Sequence, residues 1–485
     1  MQRRDFIKIS GITASLLLMA CSSDTEDTMG GMGDGTGSVT QISPTPFTPL
    51  RSLAIPPQIE GTNINGVLHF DLSVEEGSHS FFEGTLTQTY GINGNYLGPT
   101  LRLKDGDEVS LNFTNNLNEP TTMHSHGMHL PATMDGGVHQ IINPSEIYSS
   151  TYKVKQKAAT NWYHPHLMGT TAEQVYKGLA GFIIIDDSDT LTLDLPKTYG
   201  VDDIPLVLQD RFFDANYEFD YSPSRRQIMR GYIGDTFLTN GTINPYLDVQ
   251  AKELRLRLLN GSNSSVYTLA FNDNHIFKQI ATDNSLLESP VNLSAIRLSP
   301  GERAEIVVDL TADEDKTLSL IEINQSKSFL QLNVKTATIA PTTTPTTLTS
   351  LTKYTLEDAS YTRNFTLSGS MGNFYINGVA MDKNVINEVV PIDRVEIWSV
   401  TNEMSMNHNF HIHATHFLVV ERNGSALNVL SNEKGYKDTV FLSPDDNVKL
   451  MVKMSDYSDT TNAYMYHCHF LEHEDAGMMG QFVVV

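Results

Sequence analysis

Hydrophobic and polar residues alternate with a period of two along most of the chain. The clearest example is a hairpin-like stretch whose apolar positions are Leu101, Leu103, Val109, Leu111 and Phe113, with the turn Lys104–Asp107 between its arms. Similar short runs recur at 254–259, 304–310, 448–452 and 482–485, separated by Gly, Asn, Asp and Pro. Long helical periodicity is nearly absent. The pattern predicts an all-β chain built from repeated antiparallel β-sandwiches.

A chain of 485 residues with 40% hydrophobic content is long enough for about three domains with real cores. Composition places the first unit at 50–190, the second at 195–338 and the third at 353–485. A Thr/Pro-rich stretch at 336–349 is typical of a linker. Because no sequence repeat is visible, the equivalence of the three units is a hypothesis.

The first residues indicate export. Arg3 and Arg4 precede an apolar run that ends at Ala20, and Leu18-Met19-Ala20-Cys21 resembles a lipoprotein cleavage box. We predict a twin-arginine-like lipoprotein signal peptide at 1–21 and a flexible tether at 22–49. The mature protein would lie in the periplasm or cell envelope on a lipid anchor at Cys21. The alternative is plain secretion, with Cys21 discarded.

Charge and cysteine content narrow the function. A formal net charge of -24 disfavours nucleic acid as a partner. The chain has two cysteines, Cys21 and Cys468. If Cys21 carries lipid, no disulfide can form within one chain, and a lone thiol in an oxidising compartment needs another use, such as binding a metal. We expect a monomer.

Ten of the 16 histidines fall in four short clusters, none of them in the middle unit. On a strand, residues i and i+2 share a face about 6.6 Å apart, so each His-x-His pair can present two imidazoles to neighbouring ions. Four pairs give eight imidazoles, which suit about three ions; copper, zinc, iron and nickel all remain open. The clusters are His124-Ser125-His126, His164-Pro165-His166, His408-Asn409-Phe410-His411-Ile412-His413 and His467-Cys468-His469 with His473.

Cys468 indicates copper. It lies between His467 and His469, so on the same strand its sulfur would point to the opposite face, where it can join His408 and His473. A thiolate, two imidazoles and a weak axial thioether, here Met478, form a blue-copper electron-transfer site. Zinc has no redox chemistry and little use for a thioether. One cysteine would thus connect an electron-accepting site to the eight-imidazole site.

These motifs, in this order, resemble the multicopper oxidases, and most closely the bacterial three-domain laccases and cuprous oxidases. The resemblance covers about 50–485 and is strongest over His467–Met478, with support from Trp162–His166. Arg255–Gly261 and Ser299–Arg303 look like the ligand-free middle domain. It implies three consecutive cupredoxin-like Greek-key β-sandwich domains, four copper ions, dioxygen as electron acceptor and a small-molecule or metal-ion reductant.

The resemblance also assigns roles by motif position. The type 1 site would use His408, Cys468, His473 and Met478; the type 2 site His124 and His411; and the type 3 pair His126, His164, His166, His413, His467 and His469. Asp135 and Glu474 match carboxylates that supply protons for oxygen reduction. The alternative interpretation of Asp135 is a turn residue before Gly136-Gly137. For Glu474 the alternative is a solvated charge on a loop.

The reductant is less defined. Glu403, Met404 and Met406 precede His408 and could bind Cu(I). In contrast, the sequence shows no Met-rich insertion that could cover the type 1 site. This predicts that the edge of that site is open to phenols or aromatic amines. Two other functions are disfavoured. A copper-free cupredoxin-like envelope scaffold is disfavoured by the complete ligand set. A copper nitrite reductase is disfavoured because such chains have two domains.

Overall fold

The computed structural model describes residues 51–370 and 372–485. The predicted signal peptide, the tether and Cys21 lie outside this range. Six β-sheets make up the described part, and their inner faces form three main hydrophobic cores. The predicted all-β architecture of three domains is therefore confirmed. No helix of the described residues is long and apolar enough to cross a membrane.

The first domain packs the sheet β2-β6-β11-β10-β8 against the sheet β3-β4-β7-β9, with β5 added beside β4. The short first strand pairs in parallel with a strand of the middle domain. The elements are β1 Arg51–Ser52, β2 Gln58–Ile59, β3 Thr62–Ile64, β4 Val67–His79, β5 Thr87–Ile92, β6 Thr100–Lys104, β7 Glu108–Asn115, β8 His124–His126, β9 Ile147–Lys153, β10 Ala159–His164, α1 Thr171–Lys177, β11 Gly181–Asp186 and α2 Ser188–Thr192.

The middle domain has sheets of six and seven strands, and β1 is one of the six. The alternating apolar side chains of its strands pack into one hydrophobic core, which includes Leu256, Tyr267 and Ile306. The elements are β12 Asp203–Arg211, α3 Arg225–Arg230, β13 Thr236–Thr239, β14 Thr242–Ile243, β15 Pro245–Gln250, β16 Glu253–Asn260, β17 Tyr267–Phe271, β18 Phe277–Ala281, β19 Leu286–Leu293, β20 Ala295–Leu298, β21 Arg303–Asp309, β22 Thr317–Glu322 and β23 Lys327–Lys335.

The third domain packs β25-β24-β27-β31-β29 against β26-β33-β32-β28-β30. Cys468 and Met478 are part of its apolar core, beside Trp398 and Phe410. The elements are β24 Tyr361–Ser370, β25 Asn373–Ile376, β26 Glu388–Val390, β27 Val395–Asn402, β28 His408–Ile412, β29 Leu418–Arg422, β30 Thr439–Leu442, β31 Asn447–Lys453, β32 Asp459–His467, α4 Leu471–Asp475 and β33 Met479–Val484.

Candidate metal centres

Strand pairing brings the histidine clusters together. In the first domain β8 pairs antiparallel with β10, which sets His124 opposite His164. In the third domain β28 pairs with β32, which sets His411 opposite His467. One detail of the prediction is wrong: β32 ends at His467, so Cys468 and His469 lie just beyond the strand. The Cys468 N–H still donates to the Met478 carbonyl at 3.1 Å, and this bond anchors the segment.

The thiol of Cys468 meets two imidazoles, as its position between the histidines predicted. Its Sγ lies 3.4 Å from His408 Nδ1 and 3.8 Å from His473 Nδ1. The two Nδ1 atoms are 3.2 Å apart. We call these three side chains the thiolate site. Met478 is fully buried in the same core, and its N–H donates to the His473 carbonyl at 2.9 Å.

The immediate surroundings of the thiolate site are largely aromatic. Phe374 stacks on the His473 ring with centroids 4.1 Å apart, and Phe470 lies parallel to that ring at 5.3 Å. Burial raises the pKa of the Cys468 thiol to about 12, and burial lowers the pKa of His473 to about 4. A neutral imidazole suits metal binding, whereas the thiol must be ionised by a bound cation.

The other eight histidines converge between the first and third domains; we call them the imidazole cluster. One group is His166, His413 and His467, in which His467 Nε2 lies 3.0 Å from His166 Nε2 and 3.1 Å from His413 Nε2. A second group is His126, His164 and His469, in which His164 Nε2 lies 3.4 Å from both neighbours. Each group takes ligands from both domains.

The hydrogen bonds at the outer nitrogens show that these groups fit cations. His467 Nδ1 donates to the Cys468 carbonyl at 3.1 Å, and His413 Nδ1 donates to Asp135 Oδ2 at 2.7 Å. With those protons on Nδ1, the two facing Nε2 atoms both carry lone pairs and cannot hydrogen-bond to each other. A shared cation resolves this, and ligating histidines usually make such outer bonds.

The last pair, His124 and His411, has the same design. Backbone carbonyls of Asp135 and Asp438 accept from their Nδ1 atoms, each at 2.9 Å. Their Nε2 atoms are buried without a hydrogen-bond partner among the described residues. A buried polar atom without a partner is costly, so each of these nitrogens is expected to face a ligand.

The two predicted carboxylates both lie against the imidazole cluster. Asp135 accepts from His413 and lies 3.5 Å from His124 Nδ1 through its other oxygen. Glu474 lies 3.5 Å from His166 Nδ1 and 3.2 Å from His467 Nδ1. Both side chains are 1% exposed, which excludes the solvated loop charge for Glu474. Burial raises the pKa of Glu474.

Comparison with known proteins gives the same picture. Three family models described as multicopper oxidase match residues 73–190, 203–342 and 343–485. The chain belongs to the multicopper oxidase family. It is 37% identical to the multicopper oxidase mco of Staphylococcus haemolyticus over 424 residues, covering 87% of this chain and 89% of the relative.

The chain is also similar to a cell division protein and to a solved laccase-like structure. The chain is 34% identical to the cell division protein FtsP of Xenorhabdus nematophila, covering 89% of this chain and 92% of the relative. It superposes on the bacterial laccase-like multicopper oxidase CueO of Ochrobactrum sp. with a TM-score of 0.83 and 33% identity, covering 89% of this chain and 100% of that one.

The middle domain of this multicopper oxidase supplies no ligand but stabilises the imidazole cluster. Arg303, fully buried, contacts Asp438 with Nη2–Oδ2 at 2.6 Å and Nη1–Oδ1 at 2.8 Å. Asp438 in turn accepts from His126 Nε2 at 2.9 Å. Burial alone would raise the pKa of Asp438, but Arg303 holds it well below its ordinary value. Sequence analysis missed this role of Asp438, because nothing marks an aspartate 25 residues from the nearest cluster.

The Ser299–Arg303 loop explains part of the family motif. Asn409 donates to Ser299 Oγ at 3.0 Å and to the Pro300 carbonyl at 2.8 Å, while its Oδ1 accepts from the His469 N–H at 2.6 Å. Gly301 has a φ of +81°, and a Cβ there would lie 3.0 Å from the His469 ring. The middle domain thus fixes the segment that carries Cys468.

The thiolate site is covered, contrary to the open edge that the sequence predicted. Helix α3 of the middle domain lies over it: Ile228 packs against the third-domain core, and the carbonyls of Ile228 and Met229 face the His473 ring. His473 is only 1% exposed. Sequence analysis missed this cover because it comes from another domain, about 240 residues before His473.

A cavity of about 590 Å³ lies beside this cover and reaches His473. Met229 and Met406 both line it. The predicted Cu(I) group is divided: Met404 is buried in the third-domain core, and Glu403 is exposed and does not line the cavity. This cavity, rather than an exposed histidine edge, is the opening next to His473.

Proposed function

We propose that the chain is an active oxidase that takes single electrons from a small reductant at the thiolate site and delivers them to dioxygen at the imidazole cluster. The observation that carries the proposal is the placement of Cys468. Its sulfur faces His408 and His473, while the adjoining His467 and His469 belong to the two groups of the cluster. Short covalent paths therefore join the two sites.

Copper bound at these sites would supply one-electron redox chemistry at the first and oxygen reduction to water at the second. We propose four ions, one that would be held by the thiolate site together with Met478 and three that would be held by the imidazole cluster. The protein holds the ligands in place, because carbonyls and carboxylates bond to the outer nitrogens and burial lowers the pKa of His166 and His413, among others.

Reduction of oxygen to water consumes protons, and we assign their supply to Asp135 and Glu474. Both are buried, and both lie within 3.5 Å of an outer nitrogen of a cluster histidine. Burial raises the pKa of Glu474 and so favours its protonated form, and a carboxyl in this position could donate a proton during oxygen reduction. Asp135 would hold His413 in position as well as exchange protons.

A laccase-like reductant, a phenol or aromatic amine, fits the cavity at His473. Its volume of about 590 Å³ lies in the range that accommodates small organic ligands. The similar protein from Ochrobactrum is described as having oxidase activity towards lignin model compounds and lignosulfonate. Cu(I) is the second candidate, since the thioethers of Met229 and Met406 line the same cavity and soft sulfur binds Cu(I).

The alternative from another class is a copper-free scaffold in the cell envelope, because the chain is also similar to a cell division protein. The buried Nε2 atoms without a hydrogen-bond partner among the described residues argue against a copper-free scaffold, because burying them without a metal would be costly.

We also propose export and lipid anchoring at Cys21. Replacing Cys21 with Ala should release the protein from the membrane fraction, and unchanged sedimentation would refute the anchor.

The decisive experiment combines metal counting with oxygen uptake. The purified chain, reconstituted with copper, should hold about four ions and consume oxygen when given a phenol, an aromatic amine, Cu(I) or Fe(II) side by side. A protein that retains no copper would support the scaffold. Cu(I) oxidation that outpaces phenol oxidation by orders of magnitude would reassign the reductant without changing the oxidase mechanism.

A further inference from the structure

The segment that covers His473 is basic in an otherwise acidic protein. Residues 222–234 contain three arginines, Arg225, Arg226 and Arg230, and no Asp or Glu, although the chain as a whole carries a formal charge of -24. All three are exposed. Their charge is therefore directed at solvent and at whatever approaches the cavity.

Arg230 is the one that reaches the cavity itself. It ends helix α3 and lines the opening together with Met229, Met406 and Phe470, above His473. Among the described residues that line this cavity, Arg230 is the only one that is always charged, and none is Asp or Glu. The flanking acids Asp220 and Asp235 are not part of the lining.

This lining discriminates between classes of reductant. A metal cation would meet a guanidinium and no carboxylate, so its binding would rest on two thioethers alone. A neutral aromatic ring would find apolar walls formed by residues such as Ile233, Val266 and Phe470. An aromatic ring with a negative substituent would find both the walls and a planar, permanently charged donor for its anionic group.

We propose that the cavity selects phenols that carry a carboxylate or sulfonate, with Arg230 binding the anion while the phenolic ring lies towards His473. This inference rests on the proposed oxidase function and names its substrate class. Each phenol loses one electron and its hydroxyl proton to give a phenoxyl radical. Four such events reduce one dioxygen, which with four protons gives two waters.

The test uses a matched pair of reductants, 3-(4-hydroxy-3-methoxyphenyl)propanoate and its methyl ester. The saturated chain insulates the ring, so the two compounds differ in charge but hardly in ease of oxidation. Steady-state oxygen uptake by the copper-loaded protein should show a KM for the acid about tenfold below that for the ester, with similar kcat. Added salt should reduce the difference.

Arg230→Gln should raise the KM for the acid about tenfold and leave the ester unchanged, whereas Arg230→Lys should restore part of the preference because it keeps the charge. Arg230→Glu should invert the preference. Arg394→Gln is the matched control, because Arg394 is exposed in the third domain and does not line the cavity. The control should leave both KM values unchanged.

The outcomes separate this inference from the proposed function. Oxygen uptake with both phenols, but with equal KM values that Arg230→Gln does not alter, would overturn the anion preference and leave the oxidase intact. No uptake with either phenol or with Cu(I), despite bound copper, would overturn the oxidase itself. Rapid uptake with Cu(I) alone would show that the two thioethers, not Arg230, define the substrate.

Discussion

The thiolate site and the imidazole cluster lie side by side but are assembled differently. His408, Cys468 and His473 all come from the third domain and lie within its apolar core. Each group of the imidazole cluster instead needs histidines from both the first and third domains. The first site depends on the folding of one domain, whereas the second depends on the docking of two domains.

The middle domain accounts for that difference. It contributes no ligand, yet Arg303 supports the cluster through Asp438, and Asn409 ties the Cys468 segment to the Ser299–Pro300 loop. Helix α3 of the same domain covers the thiolate site. The middle domain therefore holds the thiolate site and the imidazole cluster in position, and its helix α3 covers the thiolate site.

Cys468→Ser should separate the two centres most completely. The change removes the thiolate sulfur that faces both His408 and His473, so the blue absorption and steady-state oxygen uptake should disappear. The imidazole cluster does not use that sulfur and should retain its copper, which metal analysis would show as the loss of about one ion per chain. Loss of all copper would show that the two sites are not independent.

Acidification should destabilise the metal-free protein, because histidines of both the imidazole cluster and the thiolate site are buried. Burial lowers the pKa of His166 to about 3 and of His473 to about 4, below the ordinary value of 6.5. The unfolded chain therefore binds more protons below pH 6.5, and stability falls as the pH drops. Each such histidine removes up to about 1.4 kcal/mol of stability per pH unit, so these two together remove roughly 2–3 kcal/mol between pH 6 and 5.

Denaturant unfolding of the metal-free protein at pH 7, 6 and 5 would measure this loss. A stability that does not change over that range would mean that the histidines are not buried as neutral groups. Copper should oppose the loss while it stays bound, because metal and proton compete for the same nitrogens.

Arg303→Met should weaken the cluster and spare the thiolate site. It leaves Asp438 and Asp283 as buried charges without their guanidinium partner, which costs about 3–5 kcal/mol. The melting temperature should fall, and copper should be lost from the cluster while the blue absorption of the folded fraction remains. Arg394→Met, which removes an exposed arginine, serves as the control and should have little effect on either property. Equal losses at both sites would refute the assigned role of Arg303.

Sequence analysis could find the ligands because their signal is local. The i and i+2 spacing of His124 and His126, and the thiol between His467 and His469, require no knowledge of distant contacts. The contacts that sequence analysis missed join distant segments. Arg303 and Asp438 are 135 residues apart, and helix α3 reaches a histidine in another domain. Neither contact leaves a periodic pattern in the chain.

Substitution of Asp135 tests whether the imidazole cluster needs a proton supply in addition to its ligands. We expect its effect on oxygen uptake to be smaller than that of Cys468→Ser. Asp135→Ala removes both the acceptor for His413 and the exchangeable proton, so oxygen reduction should slow by about 10- to 100-fold. The thiolate site does not contact Asp135, and its reduction by a phenol under anaerobic conditions should keep the wild-type rate. Asp135→Asn retains a side-chain carbonyl for His413 but cannot carry a proton. If Asn restores the rate, Asp135 only positions His413; if Asn is as slow as Ala, the proton is what the cluster requires.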